Sequence, residues 1–259
     1  MRKIRKCVAV LLSAIMMTTM VSFNAMAQDQ NTSATETMKR TNLEIITDTD
    51  GKLEYTYMEG GKQYKAVEYT ENHEVESYIY VMNSSGEFVL QSHFNTYFEY
   101  TEEGFVVRKI ENGEETVEVL FENISEPSQI VTRSTPPPPP SSGYGWQKVC
   151  TVQGSTKLYN DTLAATKEIL ASLATELANR TYNVGIILGT YVLTELATRY
   201  FANGLDYAYM KQVSYYYYPT GQIVPTQARI YTYGYSNSNY TNLVGGPYIS
   251  THTIRLGGN

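Results

Sequence analysis

Cysteine is nearly absent from this chain: 259 residues contain two, Cys7 and Cys150. One of them precedes the expected export cleavage point, and a lone remaining thiol cannot close an internal disulfide, so stability has to come from packing. Cys150 sits in a strand-like run, Trp146 to Val152, where a small buried hydrophobe is the expected role rather than a nucleophile. Histidine is equally scarce, and His73, His93 and His252 lie far apart with no His-x-x-x-His or Cys-x-x-Cys spacing, so no metal site is expected. A Gly-x-Ser-x-Gly elbow, a phosphate-binding loop and a dinucleotide fingerprint are all missing, which leaves no expected cofactor. The paired acids Glu102-Glu103 and Glu114-Glu115 fall at turns, where adjacent side chains point apart and read as solvated charge. No catalytic residue is therefore expected, and the chain reads as a protein that is not an enzyme. A hydrolase would require Glu195, His252 or Cys150 to meet in a cleft, and a Glu195 to Arg199 helical pair accounts for that glutamate without catalysis.

Long apolar runs are also scarce, with one exception at the start. Arg2, Lys3, Arg5 and Lys6 precede the uncharged stretch Val8 to Phe23, and Ala25-Met26-Ala27 supplies the small-x-small pattern of a signal peptidase site. The apolar run is short for a membrane span, so cleavage after Ala27 and a secreted, extracellular location are expected. Cys7 lies ahead of the run, which argues against lipidation of the mature terminus.

What is present divides at a proline run. Residues 28–133 carry 21 acids against 8 bases, a net of −13, and residues 134–259 carry 5 acids against 8 bases, a net of +3. The split suggests different surroundings for each half, or ordinary solvated strand faces. Residues 28–42 are polar and aperiodic and read as a disordered leader. Over 43–122, short apolar and aromatic runs alternate with Asp50-Gly51, Gly60-Gly61, Ser85-Gly86 and Asn112-Gly113, which predicts an antiparallel meander. Leu53, Tyr55 and Tyr57 should share its packed face. Residues 123–145, with Pro136 to Pro140, read as an extended spacer between two independently folding bodies.

Beyond it, residues 146–259 change period. Asn160 or Asp161 is expected to cap a helix lined by Leu163, Leu170, Leu173 and Leu177, and a second helix is predicted from about Asn183 to Ala202, stopping at Asn203-Gly204. Tyrosine-rich strands follow, Tyr207 to Tyr218, Thr226 to Tyr235 and Tyr248 to Leu256. The predicted fold is an all-β N-terminal domain joined to an α+β C-terminal domain, a helical hairpin on a small antiparallel sheet.

Two features carry a functional expectation. The second helix contains Val184, Gly185, Ile187, Leu188, Gly189, Tyr191 and Val192, and its Gly185-x-x-x-Gly189 spacing suits close approach of another helix or a membrane, though a buried core helix is the more ordinary role. Sixteen of the 24 tyrosines lie from Tyr144 onward. Tyr215, Tyr217, Tyr231, Tyr233 and Tyr235 are candidate surface aromatics, able to cover the helices, stack on wall sugars or sit at a headgroup layer. A run of four tyrosines, Tyr215 to Tyr218, must place rings on both faces of a sheet. Scattered Lys and Arg with a net of +3 make a poor phosphate surface, so nucleic acid is not an expected partner.

The plan of Leu158 to Gly204 followed by strands such as Ile230-Tyr231-Thr232-Tyr233-Gly234-Tyr235 resembles secreted, cysteine-poor, bacteriocin-like proteins of Gram-positive bacteria, of the geobacillin kind. The resemblance covers about the last hundred residues and implies antimicrobial action on a target-cell envelope or membrane; no functional residue carries over from it. The alternative partner is a wall glycan or a protein, bound without catalysis.

Overall fold

The computed structural model describes residues 39–49, 51–101, 104–120, 144–159, 161–181 and 188–254. The expected signal sequence, the expected leader as far as residue 38 and the proline run lie outside them.

Seven strands run in sequence order as an antiparallel meander: β1 (Thr41–Thr49), β2 (Lys52–Glu59), β3 (Lys62–Glu71), β4 (Glu74–Met82), β5 (Phe88–Thr101), β6 (Gly104–Glu111) and β7 (Glu114–Leu120). The turn residues do what the sequence demands of them: Gly51 takes φ +86° and Asn112 φ +53°, the left-handed conformations of tight hairpins. Alternation buries Leu53, Tyr55 and Tyr57 on one face, joined there by Ala66, Val75, Phe94, Phe98, Phe105 and Val107.

The second part begins with β8 (Gly145–Lys157), passes through helices α1 (Leu163–Thr181) and α2 (Thr190–Ala202), and ends in β9 (Tyr207–Tyr218), β10 (Gln227–Tyr235) and β11 (Leu243–Thr253). These strands form a four-stranded antiparallel sheet in the order β11-β10-β9-β8. The fold is thus an antiparallel β meander followed by an α+β unit. Helix α1 starts one residue later than Asp161 would set it, because the Thr162 hydroxyl accepts the Ala165 N–H at 3.3 Å. Helix α2 stops where expected, with Gly204 at φ +61° after it.

The two parts do not keep separate cores. One apolar cluster runs from Tyr55, Phe98 and Phe105 of the first sheet, through Leu163, Leu170, Leu196 and Phe201 of the helices, to Val152 and Met210 of the second sheet. The expectation of two independently folding bodies is corrected accordingly: the helices form a middle layer between two sheets, and residues 38–259 make one compact unit. Adjacent residues of α2 show the arrangement. Phe201 meets Tyr55 and Tyr57 edge-on at 5.5 and 5.4 Å between centroids, while Tyr200 turns the other way and donates to the Tyr235 carbonyl at 2.8 Å. Arg40 anchors the start of the meander to the end of α2, its guanidinium 4.0 Å from the Phe201 centroid and hydrogen-bonded to the Phe201 carbonyl at 3.2 Å.

Close approach in this layer depends on glycines of the sheet. A Cβ on Gly234 of β10 would lie 2.8 Å from Leu196 Cδ1 and 3.0 Å from the Tyr200 hydroxyl, and one on Gly245 would lie 2.7 Å from the Tyr248 hydroxyl. Gly234→Val is expected to destabilise the fold by about 1–3 kcal/mol through overpacking against α2. A denaturant titration checks this, and an unchanged midpoint would show that α2 does not seat on Gly234.

Candidate functional site

Strand alternation builds the candidate site on the side of the second sheet that faces away from the helices. Tyr215 and Tyr217 of β9 and Tyr231, Tyr233 and Tyr235 of β10 all point there, since Tyr215 pairs with Arg229, Val213 with Tyr231, Lys211 with Tyr233 and Tyr209 with Tyr235. The intervening Tyr216 and Tyr218 point inward and are buried, so the four-tyrosine run does divide between the faces.

The rings form three contact groups set along one face. Trp146 packs on Tyr217 at 5.4 Å, Tyr215 on Tyr231 at 5.3 Å, and Tyr233 on Tyr235 at 6.3 Å. Tyr240, in the β10–β11 loop, leans edge-on against Tyr235 at 5.6 Å and Tyr209 at 6.2 Å, and Tyr207 extends the row past Tyr209 at 6.3 Å. Burial, and then the neighbouring phenols of Tyr235, Tyr215 and Tyr231, push the Tyr233 hydroxyl above its ordinary value. Side-by-side packing leaves most of these rings half-buried, with Tyr207 47% exposed and, on the edge strand β11, Ile249 57% exposed. Tyr235 is the exception among the five candidates at 9%, because Tyr240 covers it.

The electrostatics of this face are one-sided. The four strands contain no aspartate or glutamate. Lys211 lies between Tyr209 and Val213 on β9, opposite Tyr233, and makes no ion pair among the described residues, and Arg229 sits with its guanidinium carbon 4.1 Å from the Trp146 centroid, its Nε donating to the Thr251 hydroxyl at 3.2 Å. The outward face of the first sheet is the opposite: Glu54 pairs with Lys65 at 2.6 Å and Lys52 at 2.9 Å, Glu74 accepts from Asn95 at 2.7 Å, and Glu76 accepts from Tyr78 at 2.7 Å and meets His93 at 3.0 Å. The uneven charge along the sequence becomes two chemically distinct sheet faces.

The other sequence candidates fare differently. Val184, Gly185 and Ile187 lie outside the described residues. Leu188 is buried, and Gly189, with φ −59° and ψ 147°, is extended and precedes α2, so the helix predicted from Asn183 is not continuous through 188–189. A Cβ on Gly189 would meet nothing within 4 Å, so no helix among the described residues approaches there. Tyr191, 80% exposed, points to solvent, and Val192 packs at the margin of the core.

Glu195 pairs with Arg199 at 2.8 Å. Cys150 and His252 stand on opposite edge strands, about 14 Å apart by strand spacing, so the three residues required for a hydrolytic cleft are not brought together. Burial raises the Cys150 thiol, in keeping with a packing role. Among the described residues no three metal-ligating side chains converge, and no helix is long and apolar enough to cross a membrane.

Sequence reasoning missed Trp146, Tyr207, Tyr209, Lys211, Arg229 and Tyr240 as members of the row. The period-two spacing of Tyr207, Tyr209, Lys211, Tyr215 and Tyr217 carried that signal for β9, whereas Trp146 and Tyr240 join through pairing and a loop that no local pattern encodes. Comparison with known proteins supplies no relative: no family model, no curated protein and no solved structure matches this chain.

Proposed function

We propose that this chain is a secreted, non-catalytic binding protein that recognises glycan through the aromatic face of β8–β11. The observation that carries the reading is the set of ring pairs that strand alternation places on one face, Trp146 with Tyr217, Tyr215 with Tyr231 and Tyr233 with Tyr235. Phenol rings lying across a sheet offer apolar faces to the C–H faces of pyranose rings, and their hydroxyls reach the sugar hydroxyls. An open face of this kind suits a polymer lying across it more than a small molecule enclosed on all sides. The secretory pattern of residues 1–27 supports an extracellular setting, where wall glycan is the available partner.

The membrane-active, bacteriocin-like reading has less support. It requires α2 to leave a layer in which Leu196, Ala197, Tyr200 and Phe201 are fully buried between two sheets.

Retention of the full chain on insoluble peptidoglycan tests the proposal. Tyr215→Ala with Tyr231→Ala is expected to weaken retention about tenfold or more, as two stacking rings at roughly 0.5–1.5 kcal/mol each allow. Retention unchanged in a folded double variant, or leakage of vesicles without glycan binding, would overturn it.

A further inference from the structure

Resting on that reading of the ring row, we infer that its ligand is an acidic polysaccharide, a chain of sugar rings in which uronate carboxylates recur at intervals. The inference starts from charge complementarity. A neutral glycan asks nothing of the charge on its binding face, yet β8–β11 exclude every acid while holding Lys148, Lys211 and Arg229 among the rings. The rim cation Lys157 is already neutralised by Glu118 at 2.9 Å, so it does not count toward the face. Lys211, in contrast, has no acidic partner among the described residues.

Spacing narrows the class. Lys211 lies opposite Tyr233 on β10, four residues from Arg229 on that strand, which sets the two cations about 14 Å apart. Tyr231, opposite Val213, lies in the interval, and Tyr215, packed on it at 5.3 Å, is level with Arg229 on one side and Lys148 on the other. A single-stranded nucleic acid bears a charge on every nucleotide and would leave most of its phosphates without a partner on this face. A polyol-phosphate chain has no ring face for Tyr215 and Tyr231 to stack on. A polysaccharide with carboxylates on only some of its sugars matches both the few cations and the rings set among them. Each carboxylate would accept hydrogen bonds from the Lys211 ammonium or the Arg229 guanidinium, contacts stronger than those between neutral groups.

The test compares one backbone in two charge states: the full chain against polygalacturonate and against the same polymer fully methyl-esterified, by affinity electrophoresis at low salt. The acidic form is expected to bind about tenfold or more tightly, and the difference to shrink in about 0.5 M salt as the charges are screened. Lys211→Gln is expected to weaken binding of the acidic form several-fold more than binding of the esterified form; because Lys211 makes no ion pair among the described residues, this variant should fold normally, and a thermal melt verifies that. Tyr215→Ala with Tyr231→Ala should reduce both. Equal binding of the two polymers, or no effect of Lys211→Gln on the acidic one, overturns the inference while leaving glycan recognition standing. Tighter binding of a single-stranded oligonucleotide or of a polyol phosphate overturns it as well. Failure to bind any polysaccharide removes the proposed function, and the inference with it.

Discussion

Cut away from residues 39–120, the segment 144–254 is expected to lose its cooperative thermal transition. The first sheet supplies one whole wall of the helical layer. Leu53, Tyr55, Phe94, Phe98 and Phe105 are all buried, and burying each such side chain stabilises by about 1.5–3 kcal/mol. Their sum is comparable with the entire net stability of a domain, about 5–15 kcal/mol. Polar ties are lost as well: Tyr55 accepts the Leu163 N–H at 2.9 Å and Glu68 accepts the Ala164 N–H at 2.9 Å, so the first turn of α1 would lose two acceptors. Far-UV and near-UV circular dichroism of the isolated segment checks this. A sharp melt with native near-UV signal in the segment alone would show that the second part folds by itself, and mixing the two segments should restore the transition if the shared core is what holds them.

Local structure was legible in the sequence wherever one rule decided it. Period-two alternation placed Leu53, Tyr55 and Tyr57 on the packed face, and Asp50-Gly51 and Asn112-Gly113 located hairpins whose positive φ the structure bears out. Leu163, Leu170, Leu173 and Leu177 are all fully buried, as their helical spacing implied. The layer order was less accessible, because a single apolar stripe says that a helix packs on something and not on how many sides. A sign of it was present, however: Ala164, Ala165, Ile169, Ala174 and Ala178 are buried too, so α1 is apolar around most of its circumference, the mark of a helix enclosed between two layers. The proline run drew attention to a boundary, and a boundary in the chain need not be a boundary in the core.

The site divides in the same way. Tyr215, Tyr217, Tyr231 and Tyr233 could be assigned to one face by counting residues, but which face met the helices depended on tertiary packing. The glycine spacing at Gly185 and Gly189 pointed to a close approach on the helix. The close approach that α2 does make is to Gly234 and Gly245 of the sheet, a relation between strands and helix that no helical motif records.

Glu68→Gln is expected to make the protein more stable at pH 8 and to leave it nearly unchanged at pH 4. Glu68 lies on the inner face of β3, fully buried, with its Oε2 accepting the Ala164 N–H at the start of α1. Burial raises its carboxyl from the ordinary 4.5 to about 7; the Thr162 hydroxyl, the Ala164 amide, and the Ser77 and Tyr55 hydroxyls pull in the other direction and offset only part of that cost. The groups that oppose the burial cost are all neutral, so no cation compensates the charge. In the unfolded chain the same carboxyl ionises at its ordinary value. Between about pH 4.5 and 7 the folded state therefore binds more protons than the unfolded state, and stability falls as pH rises through that window. Below it the group is protonated in both states and costs nothing; above it the full penalty is present, on the order of 3 kcal/mol. An amide at position 68 keeps an oxygen for the Ala164 N–H and carries no charge, so the advantage of the variant should open between pH 4.5 and 7 and then level off. Urea titrations of both proteins at pH 4, 6 and 8 measure it. An advantage of equal size at all three values, or a wild type that is the more stable at pH 8, would mean that Glu68 is held ionised at the helix N-terminus at little cost.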